Sequence, residues 1–331
     1  MKTTLVLASL VSLLTTHSLY GAETDQFYAR DAVIRDSVNE LNGFFHSRID
    51  LALEKTNQKS QMTPCREVAL EVLNQVLGEF NLKVYAKERT FSKVSRFTQQ
   101  DPSVDRFPMD AIDAKIYRID SIYKHRGFPS NLVEIARSIN VDGIYMGTDK
   151  LGHFSIVGKV YYNNFLDALK EGKSLDDAAE TAIFKGFKQE IAVLGYTIGG
   201  TLSFGDLEAN YQGMMFGINM CEGENPHLLL ENGRWVHNPK NLFDLRHYVN
   251  PKFDEAYNVS FWSKRMWGKM KNEIIAGFCA NKTNPNFIAR AKTYGSRMTK
   301  NFNDQMIEKF LLKNPKFERS KQLLSSDIKC E

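Results

Sequence analysis

The sequence predicts a mainly α protein, a single helical domain with a small β-hairpin element, and three observations predict it. Apolar residues recur at three- and four-residue steps through most of the 331 residues, as amphipathic helices require. One strong hairpin signal stands out, L-L-L-E-N-G-R-W-V at 228–236, where Asn232-Gly233 suits a tight turn. No internal repeat or low-complexity linker divides the chain.

Residues 1–22 read as a secretory signal peptide: Lys2 precedes the apolar run from Leu5 to Leu14, and Gly21-Ala22 stands before the cut. Residues 23–331 are then the single domain, with a core site region at 145–220 and an aromatic, basic subregion at 226–331. No later stretch approaches the roughly 20 apolar residues a membrane span needs. A soluble bacterial protein, periplasmic or secreted, is expected. The formal charge of +4, without a polybasic block, suits an anionic envelope partner and gives no argument for nucleic acid. Cys65, Cys221, Cys279 and Cys330 are expected as disulfides, or as one bridge and two free thiols, with three pairings open. Their wide spacing argues against a zinc cluster.

In chain order, Thr24 to Asn57 reads as one long amphipathic helix, bent or broken near Gly43, with Val33, Val38, Leu41, Phe45, Ile49 and Leu53 on its stripe. A second helix starts at Thr63-Pro64 and carries Val68, Val72, Val76 and Leu77 inward to a stop near Gly78. Asn81 to Phe107 loses periodicity, so a short strand at Leu82–Tyr85 and a long loop are expected. Asp110 to His125 and Asn131 to Ser138 are helix candidates.

A helix from Thr148 or Asp149 to about Leu169 is apolar on two faces, hence buried, and holds Asp149 and His153 four residues apart on one side. The next, from about Ser174 to Leu194, has the inward stripe Leu175, Ala179, Ala182, Ile183, Gly186, Phe187, Glu190, Ile191 and Leu194. Glycines break it. Ser203 then caps a third helix, with Asp206 reaching back as in a capping box. Asp206, Asn210, Gly213 and Gly217 form one line on it, and small residues there allow close helix approach. Helices resume at Lys264–Phe278 and Lys300–Leu312, before a polar tail.

Glu190 is the most informative position, because a carboxyl on an apolar stripe loses hydration of its charged form and becomes a candidate general acid. Pairing with a lysine or arginine is its plain structural role. Asp206, beyond a glycine-rich turn, makes a carboxylate pair with it, the machinery of glycoside hydrolysis; capping with Ser203 is the structural alternative. Asp149, His153, Glu190 and Asp206 would bind a cation only if all four converged, and a lone histidine more often satisfies a buried acid. No metal and no cofactor are therefore expected. Trp262 and Trp267, interleaved with Lys264, Arg265, Lys269 and Lys271, are candidates for holding sugar rings or an anionic polymer, or else core aromatics. There is no nucleotide loop and no G-x-S-x-G elbow.

D-K-L-G-H-F at 149–154, the acid Glu190, and S-F-G-D-L-E-A-N-Y-Q-G at 203–213 resemble the D-K-x-x-H-F, glutamate and D-x-x-A-N-x-x-G signatures of VanZ-like bacterial envelope proteins and the similar YfiM-type lipoproteins, over about a fifth of the chain. The resemblance implies a bacterial envelope setting and marks Asp149, Lys150, His153, Glu190, Asp206 and Asn210 as site positions. Two departures accompany it: VanZ-like proteins are membrane-embedded whereas this chain has no apolar span, and it lacks a lipid-attachment cysteine. A helix ending near a glutamate and running into a small Gly/Thr-rich turn is also loosely similar to the lysozyme-like superfamily. The expected function is an envelope hydrolase, a glycosidase acting on peptidoglycan or a related glycan through Glu190 and Asp206. The alternative is a non-catalytic envelope factor in which the same polar residues, with Ser203, form a buried structural network.

Overall fold

The computed structural model describes residues 22–77, 92–110, 116, 119–125, 134–191, 196–197, 199–317 and 330. It is mainly helical with short β pairs, as expected. The first helix, α1 (Val38–Asn57), packs on α2 (Cys65–Leu77), burying Leu41, Phe45, Ile49 and Leu53 on one side and Val68, Val72 and Val76 on the other. It starts later than its periodicity suggests. Residues 22–24 form strand β1 (Ala22–Thr24), and Val33 is 92% exposed, so the first part of the expected stripe faces solvent. Gly43 does not break α1, since the stripe carries on past it.

Two further expectations are corrected. Within the expected loop lies α3 (Lys93–Gln100), capped by the Ser92 hydroxyl accepting from the Ser95 N–H; it buries only Val94, Ser95 and Thr98, too few apolar residues to show a period. The candidate helix 131–138 contains β2 (Glu134–Ala136), parallel to β1, and leads directly into β3 (Ser138–Val141). β3 pairs antiparallel with β4 (Ile144–Gly147), and Asp142 and Gly143 at the turn have φ of 54° and 79°. That Asp-Gly pair is the same chemistry as Asn232-Gly233, whose φ values of 49° and 76° close the expected hairpin of β5 (Leu228–Glu231) and β6 (Arg234–His237). Residues 1–21, the expected strand at Leu82–Tyr85, positions 111–115 and 117–118 of the 110–125 candidate and the tail 318–329 lie outside the described residues.

The centre of the molecule is one continuous helical run: α4 (Thr148–Gly152), a π-helical turn at His153–Val157, and α5 (Gly158–Lys170). Against it lie α6 (Leu175–Gln189), capped by Ser174, and α7 (Phe204–Asn219), capped by Ser203. Leu175, at the very start of α6, is half exposed and so lies off the inward stripe assigned to it. The glycine line on α7 makes the expected close approach. A Cβ on Gly213 would lie 1.8 Å from the Phe154 carbonyl oxygen, and one on Gly217 would meet the Tyr162 ring. Because the obstruction is backbone, Gly213→Ala must push α7 off the central run. We expect it to cost about 1–3 kcal/mol or more; an unchanged urea midpoint would refute the close approach.

The remaining elements enclose this centre. A short pair joins Thr201–Leu202 to Phe261–Trp262, after which come α8 (Lys264–Thr283), α9 (Pro285–Gly295) and α10 (Phe302–Lys313). α9 was not expected: Tyr294 is the one residue it buries, so it has no stripe, although Asn284-Pro285 is a good helix start. Disulfides Cys65–Cys221 and Cys279–Cys330 tie α2 to the end of α7 and α8 to the C-terminal tail. Trp262 is fully buried in a second apolar cluster with Phe27, Tyr123 and Met266, and Trp267 stacks beside it at 6.1 Å. Trp262 is thus a packing residue rather than a sugar platform.

Candidate functional site

The strand-to-helix step at Gly147 begins the site. A Cβ there would collide with Thr24 Oγ1 at 1.7 Å and Asp149 Oδ1 at 2.1 Å, so glycine lets Thr24 donate to Asp149 at 2.8 Å. The next residue, Lys150, is 0% exposed. Its stem passes Gly205 on α7, where a Cβ would stand 3.1 Å from Lys150 Cε. Its ammonium meets three carboxylates: Asp149 Oδ2 at 2.9 Å, Asp206 Oδ1 at 2.7 Å and Glu255 Oε2 at 3.2 Å. Three donors thus face three acids. Burial works against the charged ammonium, but Asp149, Asp206 and Glu255 outweigh it and hold its pKa well above the usual lysine value.

One turn on, His153 projects from the same side, as its spacing from Asp149 implies. Its Nδ1 lies 3.0 Å from Asn210 Oδ1, and its Nε2 lies 3.4 Å from Asp206 Oδ2. Since the Asn210 oxygen can only accept, Nδ1 carries a proton; the ring becomes imidazolium when Nε2 is protonated toward Asp206. Burial disfavours that charge, yet Asp206 and Glu190 overcome it and raise the pKa of His153. Burial and the nearby Glu190 raise the pKa of the Tyr161 hydroxyl, and Asn210 opposes the rise. The π-turn begins at His153 itself, a backbone feature frequent at functional sites.

Glu190, at the end of α6, is 2% exposed, and its Oε2 has no hydrogen-bond partner among the described residues. Burial pushes its carboxyl up to about 7; Asp206 adds to the rise, and His153 and Lys150 oppose it. Ser203 does cap α7, accepting from the Asp206 N–H at 3.0 Å, but it donates to Glu255 at 2.5 Å. Asp206 does not complete the capping box as expected, because its carboxylate is turned to Lys150 and His153.

All six positions marked by the motif resemblance, Asp149, Lys150, His153, Glu190, Asp206 and Asn210, are therefore buried in one electrostatically coupled cluster. Trp262 and Trp267 are not part of it. Sequence reasoning missed Glu255, held also by Ser260 at 3.0 Å, and the β1 residues Glu23 and Thr24. Burial, Asp206 and Glu255 drive the Glu23 carboxyl well above its usual range. These three residues sit in short or irregular segments whose acids have no apolar period to stand out against. A cavity of about 20 Å³, enough for one water, lies beside Thr24, Gly147, Asp254, Glu255 and Arg290.

The point where Asp149, Asp206 and Glu255 converge is filled by the Lys150 ammonium. No group of three or more histidine, cysteine or acidic residues among the described residues has the arrangement of a metal site.

The raised acids give a definite pH dependence. A carboxyl whose folded pKa exceeds its unfolded value binds its proton more tightly in the fold, so stability is lost as pH rises between the two values. Glu190 and Asp254, both about 7 when folded, act in the window from roughly 4 to 7. His153, also raised, contributes stability that disappears as pH climbs through its folded pKa. These three act in one direction, and His227, whose pKa burial lowers, opposes them. The melting temperature is expected to rise as pH is lowered from 8 to 5, and Glu190→Gln should flatten that slope; a profile that climbs with pH would contradict this assignment.

Fold and site together define a mainly helical, doubly disulfide-bridged protein built around a buried lysine–carboxylate–histidine cluster. No protein-family model, curated protein or solved structure matches the chain. No helix among the described residues is long and apolar enough to cross a membrane, and both disulfides accord with an oxidising compartment.

Proposed function

We propose that the cluster is the acid–base centre of an exported hydrolase of the bacterial envelope, acting on peptidoglycan or a related glycan, with Glu190 as proton donor. The observation that carries this reading is the state of Glu190: a buried carboxyl with one oxygen unpartnered among the described residues and a pKa pushed up to about 7, matched to proton transfer near neutrality. A second buried acid supplies the contrast. Glu208 on α7 is 1% exposed, but amide groups of Gln212, Asn250, Asn301 and Asn303 satisfy both its oxygens at 2.7–2.9 Å. Glu208 is paired at both oxygens, whereas Glu190 Oε2 has no hydrogen-bond partner among the described residues.

In this mechanism Glu190 gives its proton to the glycosidic oxygen as the bond to the leaving sugar breaks, and a water then bonds to the anomeric carbon and gives its proton to the ionised Glu190. Asp206, with one oxygen on Lys150 and the other toward His153, is the partner carboxylate. Its fixed charge suits stabilising the oxocarbenium-like transition state more than attacking the ring. Lys150, Asp149, Asn210 and Ser203 are positioning residues that keep Asp206 and His153 in register. Glu190→Gln is expected to lower release of soluble fragments from cell walls by about 100- to 10,000-fold, with the fold retained, whereas Glu208→Gln should lower stability and leave release per folded molecule unchanged. Fragment release by Glu190→Gln at the wild-type rate would end the proposal.

One observation favours a second reading, that of a non-catalytic envelope factor. Lys150 is fully buried and ion-paired on three sides, an arrangement that joins β1, α4, α7 and the loop carrying Glu255. Wild-type protein that releases nothing from walls, with Glu190→Gln altering stability alone, would select it.

A further inference from the structure

The charge of the chain is divided unevenly. Residues 264–300, which form α8, α9 and the segment after them, contain nine lysines and arginines and a single acid, Glu273, so this stretch is +8 within a chain of +4 and the remainder is −4. On α8 the division is also angular. Met266, Met270, Ile274, Gly277 and Asn281 face inward, while Lys264, Arg265, Lys269, Lys271 and Lys282 are all exposed. At 100° per residue these five cations fall within an arc of about 160° on the outer side. Lys264, Lys269, Lys271 and, on α9, Lys292 have no ion-pair partner among the described residues, whereas Arg297 is tied to Asp142 and Lys300 to Glu308.

We propose that the outer face of α8 and α9 docks on the surface of a bilayer containing anionic phospholipid. Charge complementarity identifies the partner as an anionic surface, since a solvated helix needs no such excess of one sign. Three features favour a lipid surface over a polymer. The face is the convex side of a helix, not a groove that tracks a strand. Its free cations are lysines, point charges suited to a diffuse layer of headgroups, rather than arginine forks suited to defined phosphates. Ile288, half exposed, lies one turn before Lys292 on the outer side of α9, placing an apolar side chain among the cations as interfacial helices do. The Cys279–Cys330 bridge anchors the tail to this helix. The surface is distinct from the buried cluster, so its test is independent of the hydrolase reading.

The test is co-sedimentation of the purified protein with vesicles of phosphatidylcholine alone or mixed with phosphatidylglycerol. Binding is expected to the mixed vesicles only, and to fall away as salt approaches about 0.5 M. Replacing Lys264, Lys269, Lys271 and Lys292 together by glutamine should weaken it at least about a hundredfold, from roughly fivefold per cation near an anionic surface, with the melting temperature unchanged. Equal binding to neutral vesicles, no binding to either, or salt-insensitive binding would overturn the proposal without need of the variant. So would unaltered binding by a folded quadruple variant, or capture by soluble polyglutamate at lower anion concentration than by vesicle lipid, which would make the partner a polymer.

Discussion

Lys150→Met should be among the most damaging single changes, costing about 3–5 kcal/mol at pH 7, because it leaves Asp149, Asp206 and Glu255 buried without the ammonium that all three face. At about 2 °C or more per kcal/mol for a chain of this size, the melting temperature should fall by roughly 10 °C. The sign of its pH dependence is fixed by the same argument. Without the cation Glu255 loses the charge that opposes the effect of its burial and takes up a proton more readily, so the deficit should shrink as pH falls toward 5. Adding Asp206→Asn to Lys150→Met removes one stranded charge and should restore part of the loss. Lys150→Met as stable as wild type would show that the carboxylates are not held by this ammonium.

Removing the Cys65–Cys221 bridge is the other large effect. The two residues are 156 apart, and a loop of that length carries a chain-entropy contribution of about 5 kcal/mol, with measured losses commonly about 2–5 kcal/mol. Its location matters as well as its length: it joins the start of α2 to the end of α7, the helix that carries Asp206 and Asn210. Cys65→Ala with Cys221→Ala should therefore lower the denaturant midpoint more than Cys279→Ala with Cys330→Ala, whose bridge spans 51 residues and is worth about 1 kcal/mol less on the same entropy scale. The opposite order would refute loop closure as the main contribution.

Much of the central region was legible because its signals are local. The run beginning at Thr148, the Ser203 cap, the Asn232-Gly233 turn and the Gly213 approach each follow from a few neighbouring residues. Glu190 was legible for a related reason: its place on an apolar stripe implied the burial that now raises its carboxyl. Errors fell where burial is sparse or the partner is remote. α3 and α9 bury too little to show a period, and the β3–β4 turn was overlooked although its Asp-Gly pair carried the same information as Asn232-Gly233. Trp262 was ambiguous from sequence, since an aromatic beside lysines reads equally as a binding platform or as the inner face of a basic helix.

By itself the sequence determined the helical class, the order of the central helices, the Ser203 cap and the burial of Asp149, His153, Glu190 and Asp206, since periodicity and capping are properties of adjacent residues. Only the tertiary structure decided what those groups do to one another. Lys150, read as one position in a motif, is the charge at the centre; Asp206 points away from its expected capping bond; and Glu255 and Thr24, 105 residues above and 126 below Lys150 in the chain, complete the cluster. The physical reason is that electrostatic interaction depends on distance and burial in space. A carboxylate a hundred residues away can dominate the charge state of a buried amine, and no local pattern records that it is there.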